Sequence, residues 1–204
     1  MKKAIQIVLA VVIVVLAFVV YKQIMTPMKF QEEQDRREKA VIERLKYIRD
    51  AQRGFKKANQ RYTGSFDTLI NFVLNDTLEY EKIIGSDDDS VAVARGQVRR
   101  EKFRIAAIDT VFGTKKLSPD VVKQLPYIPF GNGAQFIMGA GQVTTAADVV
   151  VPVFEAKAPY KVFLGDLDQQ ELINLLDDRR AMDKYKGLKV GDLEQATNDA
   201  GNWE

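Results

Sequence analysis

The stretch AIQIVLAVVIVVLAFVVY, residues 4–21, decides the fold of this chain because it carries no charge and only one polar side chain, Gln6. A bilayer core of about 30 Å is crossed by a helix of about 20 apolar residues. Residues 22–24 bring the run to that length, since the side chain of Lys22 can extend toward water. In hydrocarbon the backbone must bond to itself, so even a run rich in Val and Ile becomes a helix. We therefore predict a transmembrane anchor over residues 4–24.

The apolar run fits two kinds of export segment, because Lys2 and Lys3 precede it as they would precede either an anchor or a cleaved signal peptide. Cleaved peptides have small residues three and one before the cut, whereas this run ends in AFVVY at residues 17–21. The chain has no cysteine, so cleavage followed by lipidation is excluded. We predict an uncleaved signal anchor.

The flanking charges give conflicting indications of orientation. Within about 20 residues after the run, a strict count of positive charges would place the far side in the cytoplasm. The basic residues on that side are Lys22, Lys29, Arg36, Arg37 and Lys39. Against this, a short positive tail that leads into an apolar run is typical of exported chains. We favour residues 1–3 in the cytoplasm, one span in the inner (cytoplasmic) membrane, and the bulk of the chain in the periplasm or otherwise outside the cytoplasm.

The charge is distributed unevenly along the chain. Residues 22–61 hold 12 Lys/Arg and 6 Asp/Glu, whereas residues 62–204 hold 16 and 22. Nucleic-acid binding would require the basic excess on the folded domain, so we predict no nucleic-acid partner. The basic segment is either a solvated helix of mixed charge or a surface close to anionic lipid headgroups.

Two residue types that commonly bind metals or act in catalysis are absent from the chain. The chain has no histidine and no cysteine, which excludes the usual zinc sites, Ser-His-Asp and Cys-His catalysis, and disulfides. The enzyme class that survives is a membrane-anchored Ser–Lys hydrolase, and the serines are Ser65, Ser86, Ser90 and Ser118. The first and last are explained as helix caps, and the other two flank an acidic loop. We predict no enzyme, and no catalytic, cofactor-binding or metal-ligating residue.

Three other features could suggest a specific binding or catalytic site, but each has a simpler structural explanation. Asp87-Asp88-Asp89 lacks the glycine and glutamate spacing of a calcium loop, which favours a solvated loop. The glycines at 131, 133, 139 and 141 do not follow the G-x-G-x-x-G spacing and favour turns around a strand. Asp177 and Asp178 are neighbours on a helix and do not face each other. No small-molecule substrate is evident.

Residues 28–61 predict a long helical stalk after a break at Thr26-Pro27, where proline lacks an amide donor. Its apolar face is spaced 4-3-4-3 and comprises Val41, Leu45, Ile48, Gln52 and Phe55, with Gln52 as an interruption. Two heptads are too few to predict a coiled coil. Gly64 is placed as the glycine that stops this helix.

Residues 62–204 predict an extracytoplasmic α+β domain with a small, mainly antiparallel sheet and short helices. The predicted helices cover residues 66–74 capped by Ser65, 118–125, and 169–185 opened by a capping box at Asp168. The predicted strands cover residues 77–84, 102–110, 134–144, 149–156 and 160–164. The tail from residue 187 reads as turns, and Trp203 either packs on its own domain or contacts a partner.

A local motif and the order of elements carry one resemblance. The segment IRDAQRGF at residues 48–55, followed by Tyr62-Thr63-Gly64, resembles the end of the first helix of type IV pilins and pseudopilins. The plan is also similar to the bitopic assembly subunits of pilus and type II secretion machines. The resemblance implies a helix-plus-sheet head and a role in a membrane-associated assembly. Pilins carry a glycine cleavage site and a glutamate in the apolar run, and Met1-Lys2-Lys3-Ala4-Ile5-Gln6 has neither.

The sequence thus predicts a non-enzymatic, single-pass envelope protein that acts as a scaffold or interaction subunit, with the membrane and envelope proteins as partners. A pilin-like subunit that retains its leader is the alternative, and an anchored hydrolase comes third.

Overall fold

The computed structural model describes residues 2–84, 99–113 and 115–204. They form a mixed helix and strand fold with one long N-terminal helix and two small antiparallel sheets, in agreement with the predicted class. The helices are α1 (Lys2–Asn59), α2 (Phe66–Asn75), α3 (Ala107–Phe112), α4 (Pro119–Lys123), α5 (Tyr160–Phe163) and α6 (Gln169–Ala181). The strands are β1 (Thr77–Ile84), β2 (Arg99–Ala106), β3 (Ile137–Thr144), β4 (Val150–Pro159) and β5 (Gly187–Gly191).

Helix α1 is continuous over 58 residues and contains Pro27, so the predicted break at Thr26-Pro27 is wrong. Proline removes its own amide donor, at a cost of about 3 kcal/mol in a helix interior, but leaves the bonds of the turns on either side available. Phe30 and the residues beyond it hold the second half of the helix by packing against the rest of the chain. At about 1.5 Å per residue α1 is about 87 Å long.

Helix α1 ends at Asn59, and the residue that ends it is Gln60 and not the predicted glycine. Gln60 adopts the left-handed conformation (φ 58°), and its amide donates to the carbonyl of Lys56 at 2.8 Å. A left-handed residue after the last helical turn is the usual way to end a helix, although glycine is the commoner residue there. Gly64 lies instead beside β3, where a Cβ atom would be 3.5 Å from the amide nitrogen of Ala140.

The predicted Ser65 cap is confirmed. The hydroxyl oxygen of Ser65 accepts the amide of Thr68 at 3.4 Å, and α2 follows directly. The helix buries one face, comprising Leu69, Phe72 and Val73. The ring of Phe72 meets the ring of Phe55 of α1 edge to face, with 5.3 Å between centroids. The two helices therefore pack against each other.

The predicted strands over residues 134–144 and 149–156 are present as β3 and β4, which form a hairpin and pair antiparallel from Ile137–Lys157 to Thr144–Val150. Strand β5 adds to the other edge of β4, so the sheet order is β3-β4-β5. The interpretation of the tail as turns alone is therefore wrong at residues 187–191. Pairing of a five-residue strand depends on β4, more than 25 residues earlier, which local patterns do not reveal.

Three other predicted elements need correction. Strand β2 ends at Ala106, and residues 107–112 form α3 instead of continuing the strand. Residues 160–163 form a helical turn and not a strand, because Pro159 at its N-cap leads the chain out of β4. Helix α6 is opened by Asp168, as predicted, but it ends at Ala181 and not at residue 185. The prediction for residues 85–98 lies outside the described residues.

The second half of α1 is the central helix of the domain. Val41, Leu45 and Ile48 are fully buried, and α1 packs against α2, α3, β4 and β5. Gly54 permits the closest contact, since a Cβ atom there would lie 2.5 Å from the Cγ2 atom of Val111 on α3. The apolar face predicted within residues 28–61 is therefore covered by the chain itself.

Candidate functional site: the exposed helix and its junction with the domain

The first half of α1 exposes its apolar side chains on every side. Ile5 is 67% exposed and Val14 is 68% exposed, and none of the most apolar 18-residue window is buried. The helix is long and apolar enough to cross a membrane. An apolar surface of this extent is far larger than the patches that soluble monomers expose.

Contact with the domain begins at Phe30, which is 7% exposed. It lies only six positions after Ile24, which is 57% exposed and belongs to the apolar run. No loop or turn separates the two halves of α1, since both belong to one helix. The apolar segment and the domain are therefore joined rigidly.

Arg37 joins α1 to the loop between α5 and α6, which contains Asp166. Its two terminal nitrogens donate to the two carboxylate oxygens of Asp166, at 2.5 and 2.9 Å, and one of them also donates to the carbonyl of Phe163 at 2.8 Å. The guanidinium lies 5.1 Å from the ring centroid of Phe130. The hydrogen bonds from Arg37 hold the pKa of Asp166 below its usual value. Planar two-point pairing of this kind sets orientation as well as contact.

The C-terminal tail is fixed to the middle of α1 by a second set of ion pairs, which we call the C-terminal clasp and define as Arg49, Arg53, Asp199 and Glu204. Arg49 donates to Glu204 at 2.6 Å, and Arg53 donates to Asp199 at 3.0 Å. The phenol of Tyr62 donates to the same Asp199 carboxylate at 2.9 Å. The arginine contact lowers the pKa of Glu204. The clasp closes the domain around α1.

A cavity of about 220 Å³ lies beside the clasp, between α1, β4 and the tail. Its polar lining includes Lys56, Tyr62, Asp192 and Asp199. Burial raises the pKa of Tyr62, with the Asp199 hydrogen bond adding to the effect, so the phenol stays protonated at neutral pH. Asp192 pairs with Lys189 at 2.7 Å. These groups satisfy one another and do not form a nucleophile with a base.

The serines considered for hydrolysis are dispersed. Ser65 and Ser118 are exposed at the starts of α2 and α4, and only Ser65 forms a side-chain cap bond. Ser86 and Ser90 lie outside the described residues. The prediction that the chain is not an enzyme stays a prediction.

The structure describes the four glycines considered as a phosphate loop, but not the acidic run considered as a calcium loop. Among residues 2–84, 99–113 and 115–204, no group of three acidic side chains is placed to hold a metal ion. Asp87, Asp88 and Asp89 lie outside the described residues. Gly139 and Gly141 are inside β3 and not in turns, and Leu193 packs over them, since a Cβ atom at Gly139 would be 3.0 Å from its Cδ1 atom.

The single tryptophan packs on its own domain. Trp203 is half-buried against the core, and its ring lies over Gly201, where a Cβ atom would be 2.4 Å from the ring. Sequence reasoning missed the two ion-pair sets, because their partners are separated by more than 100 residues. The signal that could have indicated them was the excess of arginine on α1 opposite an acidic domain.

No known protein family, no curated protein and no solved structure matches this chain. Its function is therefore argued from the geometry described above.

Proposed function

We propose that this chain is a non-enzymatic, single-pass protein of the cell envelope, which holds an α+β domain outside the cytoplasm as a scaffold or interaction subunit of a membrane-associated assembly. The observation that carries the proposal is the division of one uninterrupted helix into two halves. The first half exposes apolar side chains in all directions, and the second half is the core of the domain. Hydrocarbon is the environment that suits the first half.

The rigid junction supports a scaffold in particular. A flexible linker would let the domain move freely over the membrane, whereas a continuous helix sets its height and its orientation. The ion pairs of Arg37 and of the C-terminal clasp reinforce that arrangement. A protein built to present a surface at a fixed place has use for both features.

The surface available to a protein partner differs from the one expected from the sequence. The apolar face of α1 is buried within the domain and cannot be the contact surface. The turn between β3 and β4 instead exposes Val149 and Val150, at 55% and 57%. This hairpin end is the apolar surface that we assign to partner contact.

The chain offers a clean topology experiment because it contains no cysteine. Ala146, in the exposed β3–β4 turn, is changed to cysteine in the full-length chain, and intact cells whose outer barrier is opened are treated with a membrane-impermeant maleimide. Labelling without permeabilising the inner membrane supports the proposal. Labelling that needs permeabilisation places the domain in the cytoplasm and contradicts it. Permeabilised cells provide the control for reactivity.

The alternative is a pilin-like subunit that retains its leader, and one observation favours it. The domain is built around the second half of α1, with an antiparallel sheet laid against the helix, which is the layout that the resemblance to pilins implies. Shearing of intact cells separates the two functions. Filaments that contain the chain in the sheared fraction favour the alternative, and stable membrane complexes after detergent extraction favour the scaffold.

A further inference from the structure

The distance along α1 between the apolar run and the domain is short. Six residues from Ile24 to Phe30 rise about 9 Å. Helical side chains lean toward the N-terminus, so the ring of Phe30 lies lower than its Cα atom. The headgroup layer is about 5–8 Å deep on each side of the hydrocarbon. Because Phe30 is 7% exposed, the part of the domain that covers it lies at the level of the headgroups.

Two lysines lie on either side of the level of Ile24 and share one side of the helix. Lys22 and Lys29 are seven residues apart, which places them on one face about 10 Å from each other. Both are exposed, and neither forms an ion pair within the described part of the chain. Arg36, a further seven residues along, is held within the fold instead: it pairs with Glu33 at 2.7 Å and lies 5.2 Å from the ring centroid of Phe130.

We propose that the domain rests directly on the bilayer surface, and that Lys22 and Lys29 bind the phosphate groups of anionic phospholipids there. The proposal rests on the membrane span proposed above. Burial of Phe30 brings the domain down to the headgroups, and the two unpaired cations supply charge that is complementary to them. Tyr21, next to Lys22 and 60% exposed, is the type of aromatic residue that favours the same layer.

The anionic bilayer is a better occupant of this site than an acidic protein. Lys22 and Lys29 flank the end of the apolar run, and their long side chains can extend from below and from above to the phosphate layer, which a protein would have to displace. Farther along α1, Arg37 pairs with Asp166 and Arg49 pairs with Glu204. Lys22 and Lys29 are the two basic residues of α1 nearest the end of the apolar run, and neither has an acidic partner in the described part of the chain.

The test uses the full-length chain in vesicles. Gln170, an exposed residue four positions after Asp166, is changed to cysteine and labelled with a small fluorophore, and Ala146→Cys is labelled in a second sample. Vesicles contain a phosphatidylcholine lipid with a nitroxide on its headgroup, with or without about one third phosphatidylglycerol. We expect stronger quenching at residue 170, which lies near the Asp166 contact with Arg37, than at residue 146. In vesicles with phosphatidylglycerol the quenching at residue 170 should be about twofold stronger.

Matched variants identify the lysines. The double variant Lys22→Gln and Lys29→Gln should remove the effect of phosphatidylglycerol, whereas Lys57→Gln, which lies about 50 Å along α1 from Ile24, should leave it intact. Equal quenching at residues 146 and 170 would overturn the proposal that the domain rests on the bilayer surface. If quenching at residue 170 is the same with and without phosphatidylglycerol, and the same in the double variant, binding of anionic lipid by Lys22 and Lys29 would be overturned. Flotation of every sample with its vesicles in alkaline buffer is measured in parallel, and a chain that does not float overturns the span itself.

Discussion

Arg37 and Asp166 form a two-point ion pair that joins the central helix to a loop more than 120 residues later. Arg37 is 8% exposed, whereas the Asp166 side chain is 59% exposed. Arg37 is therefore the buried member of the pair, whereas Asp166 stays largely in contact with water. Arg37 also donates to the carbonyl of Phe163, so replacing Arg37 removes this hydrogen bond as well.

We predict that Arg37→Ala lowers the free energy of unfolding by about 2 kcal/mol, because it leaves the Phe163 carbonyl without its donor. Asp166→Asn should cost less than about 1 kcal/mol, since the carboxylate is largely solvated. Thermal unfolding of the full-length chain in detergent, followed by circular dichroism, measures both changes. Equal costs for the two variants would contradict the asymmetry of the pair.

The pH dependence of stability follows from the same ion pairs. Arginine hydrogen bonds lower the pKa of Asp166 and of Glu204 in the folded chain. A depressed carboxyl pKa contributes stability above the unfolded pKa of about 4, and this contribution is lost as the pH falls through the lower folded value. The Tm should therefore hold from pH 7 to about 5 and fall below about pH 4. In Arg37→Gln with Arg49→Gln the fall should be shallower, and an unchanged slope would exclude these pairs as its cause.

Gln52 interrupts the apolar face of α1 for a structural reason. It is fully buried, its amide nitrogen donates to the carbonyl of Thr63 at 2.6 Å, and its amide oxygen accepts the amide of Thr63 at 3.2 Å. Gln52→Leu would complete the apolar stripe and yet should destabilise the domain by about 2–3 kcal/mol, because both backbone groups of Thr63 lose their partner. Gln142→Leu, on exposed β3, is the control. Greater stability of Gln52→Leu would show that the apolar stripe matters more.

Gly54 should be less tolerant of alanine than its place in a helix suggests. Alanine is a better helix former by about 1 kcal/mol, but its Cβ atom would lie 2.5 Å from the Cγ2 atom of Val111. We expect Gly54→Ala to destabilise the domain, and the double variant with Val111→Ala to recover part of the loss. Chemical unfolding of the four chains gives the coupling between the two sites. Simple additivity would contradict the close contact.

The C-terminal clasp predicts the behaviour of the tail. Asp199→Asn keeps a residue that tolerates the left-handed backbone (φ 60°) but removes the charge held by Arg53. Trp203, the only tryptophan, should then become more exposed, with red-shifted emission and faster removal by a carboxypeptidase. Asp183→Asn is the matched control, since it also has a positive φ (53°). A shift of the same size in the control would show that the clasp does not hold the tail.

The sequence was informative where structure depends on neighbouring residues. Ser65 and Asp168 were recognised as helix caps because a cap bonds within three residues. Strands β3 and β4 were predicted from the pattern of their own residues. Strand β5 and the ion pairs of α1 depend on distant segments, and no local pattern encodes such pairing. Pro27 was misread because the packing of the second half of α1 outweighs the local preference of proline.

The same distinction applies to the candidate site. The apolar run was evident from composition alone, whereas the junction at Phe30 required the folded domain. The Val41, Leu45 and Ile48 face was predicted correctly as apolar, and the structure shows which elements of the domain α1 packs against. A face of two heptads cannot tell whether it meets another chain or its own domain.

The most direct test of the account is the partition of the unmodified full-length chain after cell lysis and an alkaline carbonate wash without detergent. We predict that the chain stays entirely in the membrane pellet, because the apolar half of α1 lies in hydrocarbon and is not held there by charge. Recovery of the full-length chain as a soluble monomer would contradict the membrane span and every role proposed from it.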